Sequence, residues 1–277
     1  MPELPEVEVV RRGISETVTN AKISKVSVKD QRSLRRHQGS SHSFIAELEN
    51  AVLEEPRRRG KFLWIPVQGS NRALLIHLGM SGQILLTDAP TRHERVRLQF
   101  EDGNHLVFND QRIFGYMAID DLAEDSPASA SHIAHDPLEA SFDFQRFFEK
   151  ASKSSRAVKA VLLDQNVISG VGNIYADESL WRSELHPNIP AHQISEEQYL
   201  RLVANIKDVF EAALAEGGTS FDYQYKQTNG ESGYFAVSLN AYGQTGKACP
   251  RCSSPIQRIK FAGRSSHFCP NCQTFSA

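Results

Sequence analysis

The chain has 277 residues, 40% of them hydrophobic, with a formal net charge of −2. That length suggests two domains with a packed core. No apolar run is long enough to span a bilayer, and the start lacks the basic flank and apolar stretch of a signal peptide, so a cytoplasmic protein is expected. Near-neutrality gives no compositional pointer to nucleic acid, but the charge is unevenly placed. Arg57, Arg58, Arg59 and Lys61 cluster, Asp120, Asp121, Glu124 and Asp125 gather elsewhere, and from Ala241 onward there is no Asp or Glu. Local basic patches fit a partner that touches one face, although a solvated surface has the same composition.

The chain opens Met1-Pro2-Glu3-Leu4-Pro5-Glu6. A small second residue permits loss of the initiator Met, which would expose Pro2 as a secondary amine. An α-amino group has a pKa near 8, so a useful fraction is unprotonated at neutral pH. Such an amine can attack a sugar C1′ and form a Schiff base, and the adjacent Glu3 carboxylate could move protons. The alternative reading is two prolines ahead of a helix. Val7, Val10, Ile14 and Val18 do recur at helical spacing.

Lys61–Val67, Ala73–Leu78, Gln83–Leu86, Arg95–Phe100 and His105–Asn109 read as short strands, with a turn at Glu101-Asp102-Gly103-Asn104. Regular short strands predict a sandwich or barrel. Residues 123–136 are rich in Ala, Ser and turn formers and read as a linker. Helical signals follow. Gly170-Val171-Gly172-Asn173 opens one helix, and its N-terminus is suited to an anion. Ser195-x-x-Gln198 is a capping box ahead of Tyr199, Leu202, Val203, Ile206, Val209, Phe210 and Ala213, with Gly217-Gly218 as the stop. Residues 217–235 are rich in Gly, Ser and Tyr and read as a loop.

All four cysteines fall near the end, as Cys249-x-x-Cys252 and Cys269-x-x-Cys272. Two such knuckles predict one structural zinc ion. Four thiolates close the tetrahedron, leaving no position for substrate, and a segment this short needs the metal to fold. The sequence between the knuckles alternates around Ala262-Gly263 and predicts a β-hairpin, with Arg264 beside its tip. A basic tip held by zinc suits phosphate contact, but zinc ribbons also serve protein contacts.

MPELPEVE at the start, RRGKF around Lys61, HLGMSG at 77–82, SGVGNIYADE at 169–178 and the paired CxxC knuckles with Arg264 between them occur in that order. Taken together these motifs resemble the bacterial formamidopyrimidine-DNA glycosylases, end to end. The resemblance implies an α+β chain: an N-terminal helix plus β-sandwich domain (1–125), a helix–two-turn–helix domain (137–235) and a zinc β-hairpin finger (240–277). It implies a bifunctional glycosylase and abasic-site lyase for oxidised purines, with damaged double-stranded DNA as partner, acting as a monomer.

By position, the resemblance makes Pro2 the Schiff-base nucleophile and Glu3 the proton donor. Lys61 becomes the lysine of β-elimination and lesion contact, and Arg264 the arginine of δ-elimination and phosphate binding. A base inside a duplex must be flipped out to be reached. Met80, Arg112 and Phe114 match the family's filling triad for the emptied stack, and Asn173 matches a phosphate contact. His93 matches another, while Lys153, Arg156 and Lys159 lie in a basic stretch near further contacts.

The sequence departs from the family pattern twice. Asp-Pro-Arg-Arg-Phe-Gly is here Asp110-Gln111-Arg112-Ile113-Phe114-Gly115, which puts the stiffness of that loop in doubt. Tyr-Gly-Arg-Lys-Gly is here Tyr242-Gly243-Gln244-Thr245-Gly246, which removes two cations and should weaken salt-dependent affinity. Two rivals remain: an endonuclease VIII-like glycosylase for oxidised pyrimidines, and a noncatalytic lesion-binding protein on the same scaffold.

Overall fold

The structure, a computed structural model, describes residues 2–124, 126–219, 228 and 238–275. It divides into two compact units, residues 1–132 with 217–234, and residues 133–216 with 235–277.

The first unit opens with helix α1 (Leu4–Val18). The prolines at positions 2 and 5 do not break it, because the first turn has no internal N–H partners to lose. Glu3 is its N-cap residue, and the Glu3 N–H donates to Glu6 Oε2 at 2.8 Å. The strand β1 (Ile23–Val28) and the helix α2 (Ser41–Leu48), capped by Ser40, follow. Neither was legible in the sequence. Then come β2 (Arg57–Arg59), β3 (Phe62–Pro66), β4 (Arg72–His77), β5 (Gly82–Leu86), β6 (Glu94–Phe100), β7 (His105–Asp110), β8 (Tyr116–Ala123) and β9 (Ser126–Pro127).

The strands form two antiparallel sheets, ordered β1-β6-β7-β5 and β2-β3-β4-β8-β9. Alternation along each strand sends one set of side chains inward. Ile84, Val96, Leu98, Leu106 and Phe108 of one sheet join Leu63, Ile65, Leu74, Ile76, Met117 and Ile119 of the other in one buried core. Val7, Val10, Ile14 and Val18 of α1 pack into that core, so the helical periodicity of the sequence marks its buried face. This is the sandwich option of the two that the strand pattern allowed.

One ion-pair cluster ties α1 to the β2–β3 turn. Glu8 Oε1 accepts from Arg11 Nη2 at 2.8 Å and Arg12 Nε at 2.7 Å, and Glu8 Oε2 accepts from Arg58 Nε at 3.1 Å. Burial alone would raise the Glu8 carboxyl, but the hydrogen bonds of Arg11 and Arg12 and the charge of Arg58 outweigh it and hold it at about 2. A depressed carboxyl stabilises the fold above its unfolded value of about 4.5, and that stability is lost as pH falls through the folded value. Glu8→Gln should therefore cost about 2 kcal/mol at neutral pH, the scale of hydrogen bonds to a charged group. Urea melts at stepped pH should also show a shallower loss of stability between pH 4.5 and 2 than in wild type.

The second unit holds α3 (Phe144–Ser152), α4 (Val158–Leu162), α5 (Asn173–Ser183), α6 (Glu196–Ala215) and the hairpin β10 (Gln257–Phe261) and β11 (Arg264–Phe268). The α6 capping box forms as expected: Gln198 N donates to Ser195 Oγ at 3.2 Å, and Ser195 N donates to Gln198 Oε1 at 2.9 Å. Tyr175 and Phe210 meet edge to face at 5.4 Å across α5 and α6. The hairpin turns at Ala262 and Gly263, both in the left-handed region, as a two-residue turn between twisted strands requires.

The sequence reading grouped residues 217–235 with the helices. Most of that segment lies outside the described residues. Its described members group with the first unit instead, because the Glu6 Oε1 atom accepts from both Thr219 N and Thr219 Oγ1 at 2.9 Å, and Leu86 N donates to Thr228 O at 3.2 Å. No described helix is long and apolar enough to cross a membrane.

Candidate active site and metal centre

In the first unit, Pro2 and Glu3 lie buried at the start of α1, with Glu3 only 2% exposed. The helix lies against β2 and β3, and the turn joining those strands carries Lys61, which is partly buried. Gly60 takes φ +55° in that turn, and its carbonyl accepts from Arg58 Nη1 at 3.1 Å. Arg58 also binds Glu8, so one guanidinium fixes the lysine-bearing turn against the helix that starts with Pro2 and Glu3. His77 lies between Phe62 and Tyr116, stacked on the latter at 5.2 Å. Burial, with the charges of Lys61 and Arg35, pushes it down to about 4, so it is neutral at pH 7.

Met80, Arg112 and Phe114 stand on two adjoining loops. Met80 is 43% exposed and Phe114 is 54% exposed; among the described residues the only other exposed large hydrophobic is Leu200. Exposure at this level means that neither Met80 nor Phe114 packs in the core. The loops interlock through their backbones. A Cβ on Gly79 would come within 2.3 Å of the Phe114 carbonyl carbon, and one on Gly115 within 2.7 Å of His77 O. Asp110, fully buried, accepts from Ser81 Oγ at 2.5 Å, from Arg112 N at 3.2 Å and from Gly115 N at 2.7 Å. His93 is partly buried, and its N–H donates to Asn109 Oδ1 at 3.2 Å.

In the second unit, the loop before α5 is shaped by Gln165, which accepts from Gly170 N at 3.0 Å and donates to Val171 O at 3.0 Å. The N-cap of α5 is Gly172, so Asn173 is the first helical residue rather than the cap. Its amide donates to Ser265 O at 3.1 Å, next to the exposed Arg264. Asn173 and Arg264 are thus brought together.

Lys159 is not a surface cation. It is fully buried, its Nζ 2.6 Å from Asp177 Oδ1 and 3.0 Å from Ser265 O. The expectation that it contacts DNA phosphate is corrected: a buried charge needs a partner, and Asp177 supplies it. Lys153 and Arg156 are exposed, and Arg156 pairs with Asp164 at 2.9 Å.

Sequence reasoning took the 169–178 motif for phosphate contact and missed the work of its acids. Asp177 also accepts from Ser266 Oγ at 2.8 Å and from His267 N at 2.8 Å, fastening β11 to α5. Glu178 accepts from the N–H groups of Ala241 and Tyr242 at 2.8 Å and of Asn240 at 3.0 Å, gripping the segment that leads into the finger. The cue was available: two acids in a helix of a unit that ends in a purely basic segment.

The four cysteine sulfurs lie within 4.8 Å of one another. Cys249 and Cys272 are 4.0 Å apart, and Cys252 and Cys269 are 3.4 Å apart. A tetrahedral zinc site with bonds near 2.3 Å puts its sulfurs about 3.8 Å apart, so the set fits one zinc ion. Trp181 and Ile256 pack around the cysteines, and the Arg251 guanidinium lies 4.0 Å over the Trp181 ring.

Three family models match in order: the formamidopyrimidine-DNA glycosylase N-terminal domain over residues 1–117, the H2TH domain of the same enzymes over 133–224, and the zinc finger found in FPG and IleRS over 246–274. The chain belongs to the formamidopyrimidine-DNA glycosylase family. A curated formamidopyrimidine-DNA glycosylase from Nocardioides sp. is 50% identical over 279 residues, covering 99% of this chain and 94% of the relative. The crystal structure of the MutM (Fpg) protein of Thermus thermophilus superposes with a TM-score of 0.87 at 37% identity, over 100% of both chains. Lactococcus lactis Fpg in complex with DNA containing an abasic site gives 0.86 at 32% identity, over 99% of this chain and 100% of that one. The finger is therefore a structural zinc finger, and membership places the chain among DNA repair glycosylases.

Proposed function

We propose that this chain is a bifunctional DNA glycosylase and abasic-site lyase that excises oxidised purines, 8-oxoguanine and formamidopyrimidines, from duplex DNA. The observation that carries the reading is the pairing of Pro2 and Glu3 at the start of α1 with the Lys61 turn, clamped to that helix through Glu8 and Arg58. The exposed Met80 and Phe114 support it, as apolar wedges for a stack emptied by base flipping.

With Met1 removed, the Pro2 nitrogen attacks C1′, and the glycosidic bond breaks as the base leaves. Glu3 protonates the sugar ring oxygen, opening the ring to an iminium on Pro2. That cation acidifies the C2′ hydrogens, and Lys61 contributes to the β-elimination that expels the 3′ phosphate. Arg264 contributes to loss of the 5′ phosphate, leaving a one-nucleotide gap. Water then hydrolyses the iminium and frees the amine. Arg112 would hydrogen-bond the orphaned cytosine, while Asn173, His93, Lys153 and Arg156 serve backbone contacts. The zinc has no part in bond-making; its four ligands hold the hairpin that presents Arg264.

Parallel excision assays on 8-oxoguanine:cytosine and thymine glycol:adenine duplexes test the substrate class. The expected result is at least about tenfold higher kcat/KM on 8-oxoguanine, roughly 1.4 kcal/mol of discrimination. A preference for thymine glycol would assign the chain to oxidised pyrimidines instead.

A further inference from the structure

The loop carrying Arg112 and Phe114 has no proline to stiffen it, and it contains a strained residue. Ile113 sits at φ +56°. That left-handed region is unfavourable for a β-branched side chain, and it persists only where the surroundings over-determine it. The surroundings here are two. Asp110 holds the N–H groups at both ends of the loop, on Arg112 and Gly115. Arg35, more than seventy residues earlier, holds the carbonyls. Its Nη2 donates to Phe114 O at 2.6 Å, and its Nη1 donates to Gly115 O at 2.6 Å and Ile113 O at 3.3 Å. The guanidinium also lies 5.3 Å from the Tyr116 ring centroid, on the strand that leaves the loop.

We propose that Arg35 is a positioning residue for base eviction. Its guanidinium clamps three consecutive carbonyls, keeps Ile113 left-handed and so aims Phe114 and Arg112 outward as a preformed wedge. The proposal rests on the glycosylase reading above. Chemically it assigns Arg35 no contact with the reacting sugar. A planar guanidinium with several fixed donors can span three carbonyls; an ammonium concentrates its charge at one point and cannot reproduce that spread. Arg35 is exposed, so truncating it opens no cavity in the sandwich core. Without the clamp, Ile113 relaxes toward negative φ, and Phe114, the next residue, swings with it. The wedge must then be ordered during each base-flipping event instead of beforehand, which slows eviction but leaves the chemistry at C1′ alone.

The test uses full-length, zinc-loaded enzyme and two DNA substrates. One is a duplex with 8-oxoguanine opposite cytosine, where a base must be evicted. The other is single-stranded DNA with a preformed abasic site, where no base is present to evict and no stack to fill. Arg35→Ala should slow single-turnover excision on the first by about tenfold while changing cleavage of the second by less than about twofold. Arg35→Lys should fall between Arg35→Ala and wild type. Asn tolerates the left-handed region, so in an Ile113→Asn background the cost of Arg35→Ala should shrink to about threefold. Equal losses on both substrates, or no loss on either, would overturn the clamp. Wild-type enzyme that cleaves neither substrate would instead remove the glycosylase reading on which the clamp rests.

Discussion

Pro2→Gly should lower strand cleavage at an 8-oxoguanine:cytosine pair by about a hundredfold or more. Glycine leaves an N-terminal amine but removes the ring that makes it secondary. A secondary amine can only form the charged iminium, and that charge acidifies C2′. Glycine also frees the backbone just ahead of Glu3, whose N–H is pinned by Glu6. The proposed nucleophile and proton donor therefore lose their mutual placement, and small misplacements of reacting groups are costly. Thermal stability should change little, since the α1 core is built by Val7, Val10, Ile14 and Val18. Gel quantification of cleaved strand beside a melting curve checks both halves. Loss of activity with a matching loss of stability would point to a damaged fold.

Zinc removal should have the second-largest effect. The apolar cluster at the metal site is only Trp181, Ala241, Ile256 and the cysteines themselves, and a segment this short is expected to need the ion to hold its fold. Chelation, or Cys252→Ser, should lower duplex affinity by about a hundredfold by fluorescence anisotropy, with recovery on adding zinc back to chelated wild type. Arg264→Ala, with zinc retained, should cost less and should reduce the slope of log affinity against log salt by about one. Affinity unchanged by chelation would show that the finger does not present a DNA-binding surface.

How much of this was legible in the sequence depends on the range over which each feature is encoded. The five central strands, the α1 face and the α6 cap are local patterns, and each falls within a residue or two of its expected bounds. The metal site was readable because two knuckles of fixed spacing need no tertiary information. The proposed catalytic residues could be singled out only through several motifs in order; from the N-terminus alone, two prolines ahead of a helix is the favoured reading of Pro2 and Glu3.

What escaped are the elements β1, α2 and β8 and the pairings across distance. Lys159 lies in a stretch of cations, and nothing local says that α4 turns it inward toward Asp177. Arg35 is separated from its loop by 78 to 80 residues, and Glu6 from Thr219 by 213. The sequence flagged the 110–115 loop as departing from the family pattern and left its stiffness in doubt. The structure supplies that stiffness through Asp110 and Arg35, at the expense of a left-handed isoleucine.

The proposed mechanism turns on a covalent bond between the Pro2 nitrogen and C1′ of the damaged nucleotide. It is tested most directly by borohydride reduction during turnover on an 8-oxoguanine:cytosine duplex, followed by proteolysis and mass spectrometry of the adduct. The expected product is a DNA remnant on the N-terminal peptide, at Pro2, with Met1 absent. Enzyme that retains Met1, whose Pro2 nitrogen is an amide, should yield no adduct. A remnant on Lys61 or another lysine, or full activity in protein that retains Met1, would contradict it.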